Sequence, residues 1–277
     1  MSFEFAGKRV GSLSVNFIRL IIGIILLSVF TYFMRGKFLP TDASIHAWIW
    51  LSLSGIVGYG IGDLLLFEAF VVVGARISML VMSSVPIFTA IISLLFLGEK
   101  MTGIEIGGMM LTIMGIAIVI LQRKGNNDST KKNKKYLFGI LLAFGGSLGQ
   151  AIGLILSKYG MQDYNAFAAS QIRGFAGIIV FTMFFAFFGK WLNFKRSITN
   201  FKTMIGINIG AISGPFLGVS LSLLAVQNTK AGVASTIMAI VPLLIIPPAI
   251  IFFKEKVNFR EVAGAVLAVC GVMLFFI

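Results

Sequence analysis

Long apolar stretches alternate with short polar breaks along almost the whole chain. Each stretch is roughly 20 residues long, which is the length that an α-helix needs to cross the hydrocarbon core of a bilayer. A segment inside lipid must bond its own backbone groups, so each stretch is predicted to be a helix. We count nine predicted spans: 13–33, 46–71, 77–97, 104–121, 136–156, 166–188, 203–226, 233–253 and 261–277.

Composition supports the same fold class. Hydrophobic residues make up 58% of the 277 residues and charged residues only 12%, whereas soluble domains are about a quarter charged. The sequence therefore predicts an all-α polytopic membrane protein. The net charge of +13 does not indicate nucleic-acid binding, because the Lys and Arg residues lie in short loops, where positive charge orients helices and contacts lipid headgroups.

Cysteine and histidine are too scarce for metal chemistry. Cys270 and His46 are the only residues of their types, so the chain offers neither an internal disulfide nor a histidine-rich metal site. The sequence also lacks a phosphate-binding loop of the form GxxxxGKS or GxxxxGKT. We therefore expect no cofactor, no metal and no ATP-driven activity.

The first half of the chain recurs in the second half. A shift of 156 positions aligns glycines, prolines and charged turns in one register, which chance would not produce. The pairs are Gly58 with Gly214, Gly62 with Gly218, Pro86 with Pro242, Glu99-Lys100 with Glu255-Lys256, and Gly115 with Gly271. Further upstream, a shift of 154 places Arg19 on Arg173. The sequence therefore predicts two copies of one helical unit.

A polar, basic linker at 123–135 separates the two copies. We predict a first repeat at 1–122 with four spans and a second repeat at 136–277 with five. The span at 136–156 has no partner in the first copy, so we expect a first helix to be missing from this sequence. Most Lys and Arg residues in the loops lie on the side of the linker, which the positive-inside rule places in the cytoplasm.

The order of these motifs resembles that of the EamA-type ten-helix exporters of the drug/metabolite transporter superfamily. The resemblance rests on Gly62-Asp63-Leu64-Leu65-Leu66-Phe67, on Pro86 followed by Leu97-Gly98-Glu99-Lys100, and on Glu105 to Gly115, with their counterparts in the second copy. It implies two inverted repeats around a central cavity that faces one side at a time. It also implies export of amino acids or other metabolites, and a linker outside the cell, opposite to the charge count. We expect a bacterial or archaeal plasma (inner) membrane protein.

Several polar side chains at membrane depth are candidates for binding a substrate or a proton: Asp63, Glu68, Tyr59, Gln150 and Asn208. A charge at the centre of a span costs about 2.5–3.5 kcal/mol on insertion scales, so such a residue usually has a function. Asp63 is the strongest candidate, for a substrate amine or a proton, although a carboxylate that only packs helices is the alternative. Glu68 lies nearer a span end, where it could reach the interface.

Other residues are candidates for shaping the cavity. Arg19 and Arg173 are predicted to lie at its mouth and attract carboxylates, or else to anchor helix ends at headgroups. Pro86 and Pro242 are expected to bend their spans, because proline removes a helix hydrogen bond. Gly62 and Gly218 belong to smooth helix stripes that permit close packing and, we expect, movement between two states.

We therefore predict a secondary transporter that exports a small polar metabolite by alternating access and is not an enzyme. Its partners would be the solute and membrane lipids, with homo-oligomer formation left open. One alternative is an intramembrane protease of the GxGD type, since Gly60-Ile61-Gly62-Asp63 fits that pattern. Such chemistry needs a second aspartate, and the remaining ones, Asp42, Asp128 and Asp163, fall in loops or at span ends. Another alternative is a truncated, non-transporting membrane subunit.

Overall fold

The computed structural model describes residues 12–122, 133–188, 201–240 and 259–274, and within these ranges every regular element is a helix. The elements in chain order are α1 (Ser12–Arg35), α2 (Ile45–Gly55), π1 (Ile56–Asp63), α3 (Leu64–Val72), α4 (Ala75–Met82), α5 (Val85–Leu97), α6 (Gly103–Gln122), α7 (Asn133–Met161), α8 (Ala166–Phe188), α9 (Phe201–Ala211), π2 (Ile212–Gly218), α10 (Val219–Asn228), α11 (Ala231–Met238) and α12 (Phe259–Met273).

Five helical spans in the described residues are long and apolar enough to cross a membrane. They are α1, the continuous helix α2–π1–α3, α7, α8, and the continuous helix α9–π2–α10. The shorter helices α5, α6 and α12 are also apolar. The prediction of an all-α polytopic membrane protein is confirmed.

Local sequence signals set several helix ends. Ser44 precedes α2 and accepts a hydrogen bond from the backbone N–H of Ala47 at 3.1 Å, as N-cap residues do. Gly98 ends α5 with a positive φ of 67°, the left-handed conformation that glycine adopts most easily. Thr102 and Glu105 form a capping box at the start of α6, in which each side chain bonds the other's backbone N–H.

The predicted span 77–97 is interrupted rather than bent. The first helix, α4, ends at Met82, and α5 begins at Val85, so Pro86 lies in the first turn of a new helix. Proline is tolerated in the first turn of a helix, because the backbone N–H groups there make no hydrogen bond within the helix. In a helix interior its ring would collide with the carbonyl four residues earlier. Ser84 occupies the break and donates from its hydroxyl to the carbonyl of Val81 at 2.6 Å.

Elements of the second half recur at the same interval as the sequence motifs. The bounds of α9, π2 and α11 lie 156 positions after those of α2, π1 and α4, except that π2 is one residue shorter than π1. Equivalent helices also contact each other across the two halves, since α1 packs on α8 and α6 packs on α12. Helices at equivalent positions of the two halves therefore pack against each other.

The contact between α6 and α12 depends on glycines. A Cβ added to Gly115 would lie 2.5 Å from backbone atoms of Gly264 and Ala268, whereas one added to Gly107, on the same helix, would meet no atom within 4 Å. We expect Gly115→Ala to lower the free energy of unfolding by about 1–3 kcal/mol, because the two backbones must separate. Gly107→Ala should leave it unchanged or raise it, since alanine favours helix. Thermal unfolding in detergent would compare them, and equal midpoints would contradict the prediction.

Candidate functional site

Asp63, the last residue of π1, is buried among three helices with an exposed fraction of 6%. Its Oδ2 forms an ion pair with Nη2 of Arg19 on α1. Its Oδ1 accepts a hydrogen bond from Nε2 of Gln150 on α7 at 2.5 Å. Both carboxylate oxygens therefore have a partner, and three of the residues predicted from the sequence form one cluster.

Glycines leave space for the backbone of the two π-helices and for the close approach of α7 to π1. A Cβ at Gly62 would lie 3.2 Å from the carbonyl oxygen of Val57 and 3.3 Å from the backbone nitrogen of Gln150. At the equivalent position in π2, a Cβ at Gly218 would lie 2.6 Å from the carbonyl oxygen of Ser213. In both helices the crowded carbonyl is five residues earlier, the spacing of π-helical hydrogen bonds. These glycines give the π-helices room, while a role in gating stays a prediction.

Each of the two arginines reaches the π-helix in the other half of the chain. Nη2 of Arg173 lies 3.1 Å from where a Cβ of Gly58 in π1 would be, and Nη1 of Arg19 lies 3.6 Å from the same point at Gly214 in π2. The guanidinium of Arg173 also lies over the ring of Tyr59, 5.1 Å from its centroid. With exposed fractions of 7% for Arg19 and 4% for Arg173, both lie inside the bundle rather than among lipid headgroups.

A cavity of about 260 Å³ adjoins this cluster. It is lined by predicted residues from both halves of the chain, namely Arg19, Tyr59, Asp63, Gln150 and Arg173. Much of the remaining wall is apolar, from Met79, Met82, Val85, Leu154, Val219 and Met238. Such a pocket, apolar with a few convergent polar groups, is the usual form of a small-molecule site.

The other predicted site residues lie elsewhere. Glu68 is exposed on α3, and Asn208 is exposed on α9, where its amide donates to the carbonyl of Met204 at 2.9 Å within the same helix. Neither lines the cavity. Pro86 lies one residue beyond the wall residue Val85, and Pro242 falls outside the described residues.

Sequence reasoning missed the cavity residues at the ends of α4 and α11. Met79, Met82 and Met238 line the cavity because both short helices stop at its wall. The signal was present in the sequence, since each helix ends four residues before a proline of the pair Pro86 and Pro242. Helix ends that point into a cavity are common in transporters built from repeats.

Ion pairs and hydrogen bonds join the loops 36–44, 98–102, 162–165 and 229–230, which together we name the tied end. Nζ of Lys158 lies 2.5 Å from a carboxylate oxygen of Glu99, whose other oxygen accepts from the backbone N–H of Ala231 at 2.8 Å. Nζ of Lys230 lies 2.8 Å from both carboxylate oxygens of Glu105. These contacts connect α5, α6, α7, α10 and α11 at one end of the bundle.

A second group of contacts completes the tied end. Asp42 pairs with Arg35 at 2.5 Å and accepts a hydrogen bond from the hydroxyl of Tyr164 at 3.0 Å. Burial of its charge acts to raise the pKa of Asp42, but the Tyr164 hydroxyl and the Arg35 charge together hold this pKa below its usual value. Gln227 donates to the carbonyl of Tyr164 at 3.0 Å. The loop after α1 is thereby joined to the ends of α7 and α10.

Comparison with known proteins agrees with this architecture. A family model described as "EamA-like transporter family" matches residues 2–121 and 137–277. A crystal structure superposes with a TM-score of 0.71 at 13% sequence identity, covering 99% of this chain and 92% of that one. At this identity the likeness concerns the fold alone.

Two sequence relatives carry transporter names. An uncharacterized transporter of Clostridium kluyveri is 24% identical over 230 residues, which is 80% of this chain and 70% of that protein. Probable purine permease 7 of Arabidopsis thaliana is 24% identical over 212 residues, 71% of this chain and 53% of that protein, so the match spans about half the plant protein. The family model covers nearly the whole chain in two stretches, and this membrane protein belongs to the EamA-like transporter family.

Proposed function

We propose that this protein is a secondary transporter that exports a small polar metabolite across a bacterial or archaeal plasma membrane by alternating access. Two inverted repeats, at 1–122 and 136–277, would rock about the cavity between them, with 123–135 as the linker. The observation that carries the proposal is a cavity at the junction of the repeats that is lined by buried charges from both.

Charges at this depth need a functional reason. Burying an ion pair requires the removal of water from both groups, and a well-packed apolar pair of similar volume is often as stable or more so. Helix packing alone would therefore not require Arg19 and Asp63 between α1 and π1. A solute that exchanges hydrogen bonds with them during passage gives the pair a use, and so supports transport over a purely structural role.

The test is counterflow into proteoliposomes that are preloaded with unlabelled solute, with a panel of labelled amino acids, organic acids and nucleobases. We expect one class to be taken up by the wild-type chain and uptake to be lost in Asp63→Asn. Glu68→Gln is the matched control, because it makes the same chemical change on the same span at an exposed position. Its uptake should equal that of the wild type.

A second variant separates loss of transport from loss of folding. Ser222 lines the cavity, and Ser213 is exposed on the same span. Ser222→Phe should fill the cavity and stop uptake without altering any charge, whereas Ser213→Phe should not. Absence of uptake of every solute by well-folded wild-type protein would support the alternative of a non-transporting subunit.

A purine base is a second candidate solute. The observation in its favour is the similarity to the plant protein named as a purine permease, together with the aromatic ring of Tyr59 in the cavity wall, on which a planar base can stack. Adenine and guanine therefore belong in the panel, and their uptake in preference to organic acids would favour this candidate.

A further inference from the structure

The charges in the cavity do not cancel. Among the described residues, the charged ones that line it are Arg19, Asp63 and Arg173, of which the first two form an ion pair with each other. Gln150 donates a hydrogen bond to the other carboxylate oxygen of Asp63. The carboxylate that the sequence suggested as a partner for a substrate amine is therefore already engaged on both oxygens, and the described lining residues carry one excess positive charge.

That excess charge belongs to Arg173. In the part of the chain that the structure describes, its guanidinium has no ion pair, its Nε has no hydrogen-bond partner, and only 4% of the residue is exposed. A guanidinium stays protonated in proteins. The ring of Tyr59 offers a cation–π contact, which compensates only part of the lost hydration. Arg173 is therefore a buried cation in the cavity wall that makes no ion pair of its own among the described residues.

Resting on the proposed function, we propose that the solute is an organic monoanion whose carboxylate binds Arg173 and whose apolar body packs on the methionine-rich wall. A carboxylate matches the two parallel N–H groups of a guanidinium and forms the stronger class of hydrogen bond. Met79, Met82 and Met238 supply an adaptable apolar surface. The cavity of about 260 Å³ suits a molecule of metabolite size.

The same arrangement disfavours two other solute classes. A zwitterionic amino acid brings an ammonium group, and the one carboxylate among the described lining residues, that of Asp63, is already paired. A neutral nucleobase leaves the charge of Arg173 uncompensated. Burying an unpaired charge is costly, so only an anion without an ammonium group satisfies every charge in the cavity.

The experiment is equilibrium binding by calorimetry to the purified full-length chain in detergent at neutral pH. The probes are 3-phenylpropanoate, hexanoate and 4-methyl-2-oxopentanoate, each with its neutral amide, together with phenylalanine and adenine. We expect at least one carboxylate to bind at least about ten-fold more tightly than its amide, phenylalanine and adenine. Arg173→Gln should remove that preference, and Arg173→Lys should keep part of it.

Stability supplies a control for folding. Because Arg173 makes no ion pair among the described residues, Arg173→Gln should melt at or above the wild-type temperature, which a residue held only for structural reasons would not do. The proposal is overturned if none of the three carboxylates binds, if amides or adenine bind as tightly, or if Arg173→Gln keeps the preference for anions. Uptake of a neutral solute independent of Arg173 would refute the anion site while leaving transport intact, whereas anion binding without counterflow would refute transport alone.

Discussion

Asp63→Asn should lower the free energy of unfolding by about 3–5 kcal/mol, the usual effect of removing one partner of a buried ion pair. The described cavity wall would then hold two buried guanidinium groups, of Arg19 and Arg173, and no carboxylate. Neither can release its proton to escape the penalty. Asparagine has nearly the same shape as aspartate and keeps one hydrogen-bond acceptor. The lost free energy of unfolding therefore reflects the removed charge rather than a change in packing.

A second substitution should reverse most of that loss. Arg19→Met in the Asp63→Asn background removes the charge that lost its partner, and a methionine side chain fills similar space. The double variant should regain most of the stability of the wild type while transport remains absent. Denaturant or thermal unfolding of the four proteins in one detergent gives the coupling energy directly. A coupling near zero would show that the Arg19–Asp63 pair does not stabilise the fold.

Glu99→Gln should open the tied end. Glu99 holds Lys158 and the backbone N–H of Ala231 together, and a hydrogen bond to a charged group contributes about 1.5–3 kcal/mol. This contribution is made only while α5, α7 and α11 lie close together at that end. Without this contribution, the fraction of molecules in which the tied end is open should rise roughly ten-fold.

Cysteine labelling can measure this shift because the chain contains one cysteine. In a Cys270→Ser background, Ser235→Cys places a thiol in the cavity wall. A membrane-impermeant maleimide should label it faster in the Glu99→Gln variant, and only from the side on which the tied end lies. Lys100→Gln, a neighbouring exposed position, should not change the rate. Equal labelling rates for Glu99→Gln and the wild type would show that the contacts of Glu99 do not hold the tied end closed.

Much of this architecture follows from the sequence because membrane burial imposes simple rules. Apolar length predicted the spans, and the upstream shift of 154 positions paired Arg19 with Arg173. Asp63, Gln150 and Tyr59 were found because polar groups inside a span are rare and costly. Glu68 and Asn208 satisfied the same criterion, yet they lie on exposed helix faces, since a depth in the membrane does not specify which face of a helix points inward.

The sequence did not indicate which helical segments have π-helical rather than α-helical hydrogen bonds. A π-helix in a membrane span is as apolar as an α-helix, so the hydrophobic pattern did not predict π1 and π2. Gly62 and Gly218 provide the space that these π-helices require. The break before Pro86 was predicted as a bend, because proline indicates a disturbed helix without indicating how far the disturbance extends. The charge balance of the cavity required distances between side chains, which only the structure gives.

The crossing of each arginine to the opposite repeat has a consequence for symmetry. Two identical subunits related by a two-fold axis contribute every residue twice, so a dimer of single repeats would have a site with an even charge. Arg19 and Arg173 follow that rule, but the counterpart of Asp63 is Val219, which carries no charge. Two halves in one chain can therefore differ at this position, and the described lining residues carry an odd net charge of +1. No symmetric pair of identical subunits can reach that value, and a single carboxylate would neutralise it.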